Sequence, residues 1–333
     1  MEATTVKASK NEAQVIGTLS EMNLKEETKE VTIKNGAMEK KVTCRQISKN
    51  DFKNPMFTVE SGTSIVKVDA FPVKEKSLNE NGEIVDNSRF KEMETIMNTY
   101  VAKVGAKEGE VPTRVKIDGF LINNEFVDKT GNFVSTPKVT MMHMSSTQVP
   151  EEDSTDSVIS GVIKNIAPET LGEDDHETGR LKVELYYFNK DGNVFPVTFV
   201  VEKDLADSFT SFYEVGQSVL FDYEVVVRSV GSTKPITGGF GHRESKQISG
   251  YDITEFSIFR GSDPIGEDEE RYISIETVKS ALKERDIIIE NKLKEAKEKP
   301  EGGYKSSPKS ATGKETPFGT PTENSKKNKN PFA

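Results

Sequence analysis

Tryptophan is missing from this chain altogether, and cysteine occurs once, as Cys44. A lone cysteine rules out an internal disulfide and fits a reducing, cytoplasmic setting. The three histidines, His143, His176 and His242, are far apart and form no His/Cys ligand spacing, which argues against a structural zinc site. No stretch approaches the roughly 18 consecutive apolar residues of a membrane helix, and the polar start, Met1 to Ala13, lacks the apolar core of a signal peptide. Phosphate loops of the GxxxxGK[ST] type, HExxH helices and nucleophile elbows are absent. No catalytic residue and no cofactor is therefore expected. Positive charge is in deficit: 45 Lys and Arg against 55 Asp and Glu leave a net charge of −10. This argues against a simple electrostatic glue for nucleic acid, and any cationic surface has to be local.

The 333 residues are enough for about two domains at ~100–200 residues each. A polar leader, 1–13, precedes a β-rich region, 14–149. The acidic, non-periodic stretch 150–156 reads as a linker to a second β-rich region, 157–260. Residues 261–299 combine an acidic break with a helix from Ser274 to Lys299. Ser274 serves as its N-cap, Ile275, Val278 and Leu282 form its apolar stripe, and Pro300 ends it. Gly, Pro, Ser, Thr, Asn and Lys dominate 300–333, the composition of a disordered tail.

The two β-rich regions follow one plan. Val15-Ile-Gly-Thr-Leu19 opens the first and Val158-Ile-Ser-Gly-Val-Ile163 the second, each a strand carrying a glycine. Two strands follow in each, at Lys41–Ile47 and Ser64–Val73 and at Leu181–Phe188 and Val194–Val201. A helical stretch comes next, Ser88–Val104 or Leu205–Phe212, and runs into Tyr100-Val-Ala-Lys-Val-Gly105 or Tyr213-Glu-Val-Gly216. Two last strands close each unit, Arg114–Ile122 with Lys138–Met144 and Ser218–Arg228 with Tyr251–Phe259. A duplicated unit explains this best. Three strands, a helix and two strands is the order of the five-stranded OB barrel. The fold class expected is mainly β: two tandem OB-like barrels, each with one helix, plus a C-terminal helix and a disordered tail. A small β-sandwich would satisfy much of the same pattern.

Alternation orients the strands. Leu181, Val183, Leu185 and Tyr187 share one face, as do Val219, Phe221, Tyr223, Val225 and Val227; Lys182, Glu184, Tyr186 and Phe188 face outward. OB barrels hold single strands across strands two and three, with bases stacked on rings and phosphates on Lys and Arg. Tyr186 and Phe188, with Arg180 and Lys182, match that chemistry; cover by a neighbouring domain is the alternative. The loop Ser229–Gln247 adds Lys234, Phe240, His242, Arg243 and Lys246, next to Arg228, with glycines on both sides of the ring. The first region offers Arg45, Lys67 and Phe71, and Phe126 and Phe133 around Lys129-Thr-Gly131. Phe57, after Asn54-Pro55, reads as a core anchor. Glu184, Asp222 and Glu224 work against phosphate, and the acidic turn Gly172–Glu177 reads as a solvated loop.

With these residues the chain resembles single-stranded DNA-binding proteins, particularly the larger tandem OB-fold versions carried by tailed bacteriophages. The likeness rests on the paired OB-like units, on Gly179-Arg-Leu-Lys-Val-Glu-Leu185 and Tyr213-Glu-Val-Gly-Gln-Ser-Val219, and on a tail ending in Pro331-Phe332. It implies a non-enzymatic protein that coats exposed single-stranded DNA in replication or recombination and recruits partner proteins through Pro331 and Phe332. Family tails are usually acidic, whereas this one has six lysines against three glutamates between Pro300 and Ala333. The rival expectation is a structural or assembly protein, such as a phage virion component, that uses its barrels for protein contacts. An accessory chain of a nucleic-acid enzyme is a third.

Overall fold

A computed structural model describes residues 7–147, 151–171, 176–234 and 246–298. Its architecture starts from strands that bend. The first strand, β1 (Asn11–Met22), pairs with β9 (Arg114–Val127) up to Thr18 and with β4 (Phe57–Ser61) from Thr18 onward. Gly17 sits at the changeover. A Cβ there would lie 2.2 Å from the Glu60 carbonyl oxygen, so only glycine lets the two backbones approach. In the second unit β11 (Ser157–Leu171) changes from β14 (Ser218–Lys234) to β12 (His176–Phe188) at Val162, and a Cβ on Gly161 would meet the Tyr186 carbonyl at 2.3 Å. The two opening glycines occupy the same structural position.

Five strands then close on themselves in each unit. Barrel 1 runs β1–β4–β5–β10–β9 and back to β1, with β5 (Ser64–Asp69) parallel to β10 (Phe133–Ser146). Barrel 2 runs β11–β12–β13–β15–β14 and back to β11, with β13 (Val194–Val201) parallel to β15 (Lys246–Gly261). Helix α1 (Ser88–Thr99) stands between the third and fourth strands of barrel 1 and buries Phe90, Met93 and Ile96. Asn87 caps it, its side chain accepting from the Arg89 amide. Helix α2 (Lys203–Phe212) does the same for barrel 2 with Ala206 and Phe209. Each helix leads to a positive-φ glycine, Gly105 and Gly216. This is the OB arrangement, mainly β as expected.

Barrel 1 departs from its expected strands. Lys41–Ile47 belongs to β3 (Met38–Lys49), which pairs with β2 (Leu24–Asn35) in a long hairpin inserted between the first and second barrel strands. The second and third barrel strands are β4 and β5. The hairpin has a small core of Val31, Ile33 and Cys44, closed by Leu78 from the segment before α1. Short pieces β6 (Val73–Lys74), β7 (Lys76–Leu78) and β8 (Ile84–Asp86) link β5 to α1. Lys41–Ile47 reads as a strand, with Val42 and Cys44 alternating with Lys41, Thr43 and Arg45, and alternation carries no information about partners.

The barrels are joined by antiparallel pairing of Asn11–Ala13 with Ser157–Ile159. Residues 151–156 are stitched in: Ser154 exchanges backbone bonds with Ile16, and Asp153 pairs with Arg114 at 2.7 Å. Tyr187 donates from its hydroxyl to Asn123 (2.9 Å) across the junction. The C-terminal helix α3 (Ile275–Glu298) is capped by Ser274, which accepts from the Thr277 amide. Val278 and Ala281 are buried and Leu282 packs beside them, while Ile275 is exposed. The sequence from 299 onward lies outside the described residues.

Candidate nucleic-acid interface

The outer face of β12 and β13 is the platform expected from sequence, and α3 lies on it. Phe188 is 1% exposed and Val194 equally so, in a cluster with Val162, Ile273, Val278 and Ala281, with Tyr186 and Leu282 against it. Lys164 stands over the Tyr186 ring at 5.6 Å and pairs with Glu184. Strand alternation places Tyr186 and Phe188 outward correctly, but outward here means under a helix. Arg285 latches that helix by pairing with Glu125 of β9 and donating to the Val194 carbonyl (3.0 Å). Lys292 reaches Glu125 too and stands over Phe133. Phe188 is thus not a base-stacking ring in this structure.

The expected phosphate ligands also need correcting. Arg180 is 8% exposed and pairs with Glu255 (2.7 Å), Glu202 (3.0 Å) and Glu169 (3.3 Å). Burial works against its charge, and Glu255, Glu169 and Glu202 more than compensate, so its pKa is raised. Arg228 joins the same cluster through Glu255 (2.9 Å). Two guanidiniums among three carboxylates fasten the base of the β14–β15 arm and offer no free charge to phosphate. Arg45 is likewise committed, to Glu75 (3.0 Å) and Glu94 (2.5 Å) with Phe90 beneath it at 4.9 Å, which ties the β2–β3 hairpin to α1. Its pKa is raised by those two carboxylates.

Lys182 stays exposed without a charged partner among the described residues. Lys234 and Lys246 pair in register across the β14–β15 arm, which leaves barrel 2 beside β5, where the Val227 amide donates to Ser64 (3.5 Å). Phe240, His242 and Arg243 lie outside the described residues, as do Pro331 and Phe332 and most of the acidic turn. His143 is a surface residue whose Nδ1 is 2.7 Å from Glu92.

In barrel 1 the corresponding face is open along β5, where Ile65 and Lys67 are exposed, while Thr58 of β4 is buried. Phe57, Val59, Val66 and Val68 of β4 and β5 point into the barrel, which leaves Ile65, Lys67 and Asp69 on the outside. Phe71, just past the strand, continues that outer series and is 52% exposed. Asp69 is bracketed by Lys49 (2.6 Å) and Lys138 (2.7 Å) and accepts from the Met56 amide. Burial alone would raise its carboxyl, but the Lys138 and Lys49 ammoniums reverse this and hold it below the usual carboxylate range. The Met56 bond brings the 50–56 loop to the same end of the face. Asn23 pins that loop through its amide, which donates to the carbonyls of Asp51, Asn54 and Pro55. At the loop's apex Phe52 is 85% exposed, with Lys53 next to it.

Lys49 and Lys138 thus bracket one carboxylate, Lys67 and Phe71 stand in the outer series of the same segment, and Lys53 and Phe52 lie on the loop that Met56 ties to Asp69. Nearby, Glu60 is taken up by Lys103 (2.7 Å). Of these residues Lys67 and Phe71 are expected from sequence, and Lys67 has no charged partner among the described residues. Sequence reasoning misses Phe52, Lys49, Lys53 and Lys138. The available signal for Phe52 is a large ring in the polar, turn-forming run Asn50-Asp-Phe-Lys-Asn-Pro55, where no core can use it. Phe57, two residues after that run, is the buried anchor expected.

Among solved structures, the single-stranded DNA binding protein from Thermus aquaticus is similar at 10% identity, with a TM-score of 0.43 over 79% of this chain and 97% of that one. A deletion mutant of the same protein gives 10% identity and a TM-score of 0.40 over 80% and 99%. Both likenesses are too loose to bear on function. No curated protein matches. The family model YorF matches residues 10–296, which takes in both barrels and nearly all of α3, and the chain belongs to the YorF family.

Proposed function

We propose that this protein binds single-stranded DNA without sequence specificity and without catalysis, on the open β4–β5 face of barrel 1. The observation that carries this reading is the pairing of exposed rings, Phe52 and Phe71, with a cationic cluster on a protein whose net charge is −10. Base stacking on a ring is worth roughly 1–3 kcal/mol and tolerates every base, while lysines follow the phosphates. Phe71 and Phe52 stack bases; Lys67 and Lys53, free of carboxylates among the described residues, hold the backbone, while Lys49 and Lys138 share one carboxylate between two charges and add positive potential beside them. The β14–β15 arm, with Lys234 and Lys246 and the sequence through Phe240, His242 and Arg243, extends the path from barrel 2. Acidic surface elsewhere keeps the strand on this track.

The finer reading places the protein on strands exposed in replication or recombination, in a cytoplasm that is the host's if the gene is a phage's. Partner proteins would be recruited through Pro331 and Phe332. Fluorescence anisotropy of labelled oligo-dT, at low and moderate salt, tests the core of it. Tight binding that weakens with salt is expected; no binding at micromolar protein in low salt removes the proposal.

A second reading applies to barrel 2. The burial of Phe188 beneath α3, with Tyr186 half-buried against the same cluster, favours protein contact over DNA contact on that face, in keeping with a structural or assembly role for that barrel.

A further inference from the structure

Barrel 2 holds an open cleft beside α2. It lies between α2 and the end of β15, measures about 230 Å³, and is lined by Leu205, Phe209, Phe212, Tyr213 and Phe259. Leu205 and Phe259 are exposed and Phe212 is 55% exposed, so three large apolar groups meet water in one place. Patches of this kind mark contact sites. The surrounding charge is negative: Asp204 and Asp207 on α2 and Asp263 beyond β15, all exposed. Of the nearby cations, Arg260 is held by Asp222 (2.5 Å), which leaves Lys203. Such a rim repels phosphate and selects an occupant that is both aromatic and cationic.

One segment of this chain has that chemistry. Ser325-Lys-Lys-Asn-Lys-Asn-Pro-Phe332 carries three lysines and a Pro-Phe pair with no carboxylate among them. The other Pro-Phe pair, Pro317-Phe318, stands next to Glu315 and has no such lysine run. From the end of α3 at Glu298, a chain at ~3.3 Å per residue reaches on the order of 110 Å, enough for any surface of the molecule. We propose that Lys326–Phe332 docks in the α2–β15 cleft of its own chain. The Phe332 ring packs against Phe212 and Phe259, Pro331 limits the freedom lost on binding, and the lysines meet Asp204 and Asp207. The inference is independent of the DNA reading, since the cleft lies outside the β4–β5 face.

Cysteine crosslinking in the full chain tests it, because the native Cys44 is buried and silent. Ser208→Cys in the cleft is combined with Asn330→Cys and treated with a short bismaleimide at low protein concentration. Glu80→Cys with Asn330→Cys, at the exposed β7–β8 turn, gives the rate of random encounter. The expected result is an intramolecular product from the Ser208→Cys pair formed at least about five-fold faster than from the control. That advantage is lost on Phe332→Ala, which leaves the barrels untouched, and reduced by salt and by Asp204→Lys with Asp207→Lys. Equal rates for the two pairs, or products only between chains, overturn the proposal.

Discussion

Barrel 1 and barrel 2 are closed by the same five-strand circuit, yet the face formed by their second and third strands has opposite fates. In barrel 1 it is open along β5, with Lys67 and Phe71 in water and Phe52 exposed on the loop that Met56 ties to Asp69. In barrel 2 it holds Tyr186 and Phe188, a more apolar pair, and α3 packs over the Phe188 end while Lys182 stays exposed. The difference lies less in the barrels than in what the chain adds to each. Barrel 1 receives the β2–β3 hairpin and the 50–56 loop, which bring lysines to its rim. Barrel 2 receives a helix whose Val278, Ala281 and Leu282 match an apolar patch and whose Arg285 is anchored on the other barrel. One architecture thereby supplies a wet cationic surface and a dry structural one.

The contrast is tested most severely by Phe188→Ala. Removing a ring that is fully packed between strand and helix costs about 3–5 kcal/mol, and α3 loses its seat. Chemical denaturation should show that loss, and DNA affinity measured well below the transition should stay within about two-fold. A large affinity loss with stability intact would mean that the sealed face opens to DNA after all. The converse change comes next in size. Phe52→Ala with Phe71→Ala removes two exposed rings, so stability should move by less than about 0.5 kcal/mol. At roughly 1–3 kcal/mol per stacked base, oligo-dT affinity should fall on the order of 100-fold. Unchanged anisotropy titrations would end the distinction between the barrels.

Asp69 gives a smaller effect with two signs. Asp69→Asn leaves Lys49 and Lys138 without their carboxylate, at a cost to stability of about 1–2 kcal/mol. It also removes the anion at the centre of the cationic cluster, so DNA should bind a few-fold tighter at low salt. The folded-state pKa of Asp69 is depressed, so its contribution to stability is fully present above the unfolded value of about 3.9 and is lost as pH falls through the folded value. Denaturant midpoints of wild type and variant should therefore differ by a constant amount at neutral to mildly acidic pH and converge only below about pH 4. Convergence near neutrality would detach Asp69 from its lysines.

These residues also show what is and is not visible in the sequence alone. The inner faces of β12 and β14 were legible because every second residue is apolar. In β12, Val183, Leu185 and Tyr187 alternate with Lys182, Glu184 and Tyr186, so the parity of the strand is fixed. The glycines at 17 and 161, the cap at Ser274 and the helices before the last two strands of each unit were legible for similarly local reasons. The cover over Phe188 was not, since alternation tells which side of a sheet a ring takes and says nothing of what lies on that side. Arg180 and Arg228 looked like free charge because their carboxylates, Glu169, Glu202 and Glu255, are distant in sequence and meet them only in the fold. Lys49 and Lys138 were hidden in the opposite way: only the fold brings them to Asp69.

The finest test compares single lysines. Lys67 and Lys182 are both exposed on outer faces, on β5 and on β12. Neither is tied to a structural carboxylate among the described residues, so Lys→Ala at either site should leave stability within about 0.5 kcal/mol. If phosphates run along barrel 1, Lys67→Ala removes one contact there, and the slope of log affinity against log salt should become shallower by roughly 0.7 for a single strand. Lys182→Ala should leave the slope where it was. Because the slope counts displaced counterions and not total affinity, it separates a lost phosphate contact from a general disturbance of the surface. Equal changes at both lysines would spread the strand over both barrels, and α3 would then border the DNA path instead of marking where it stops.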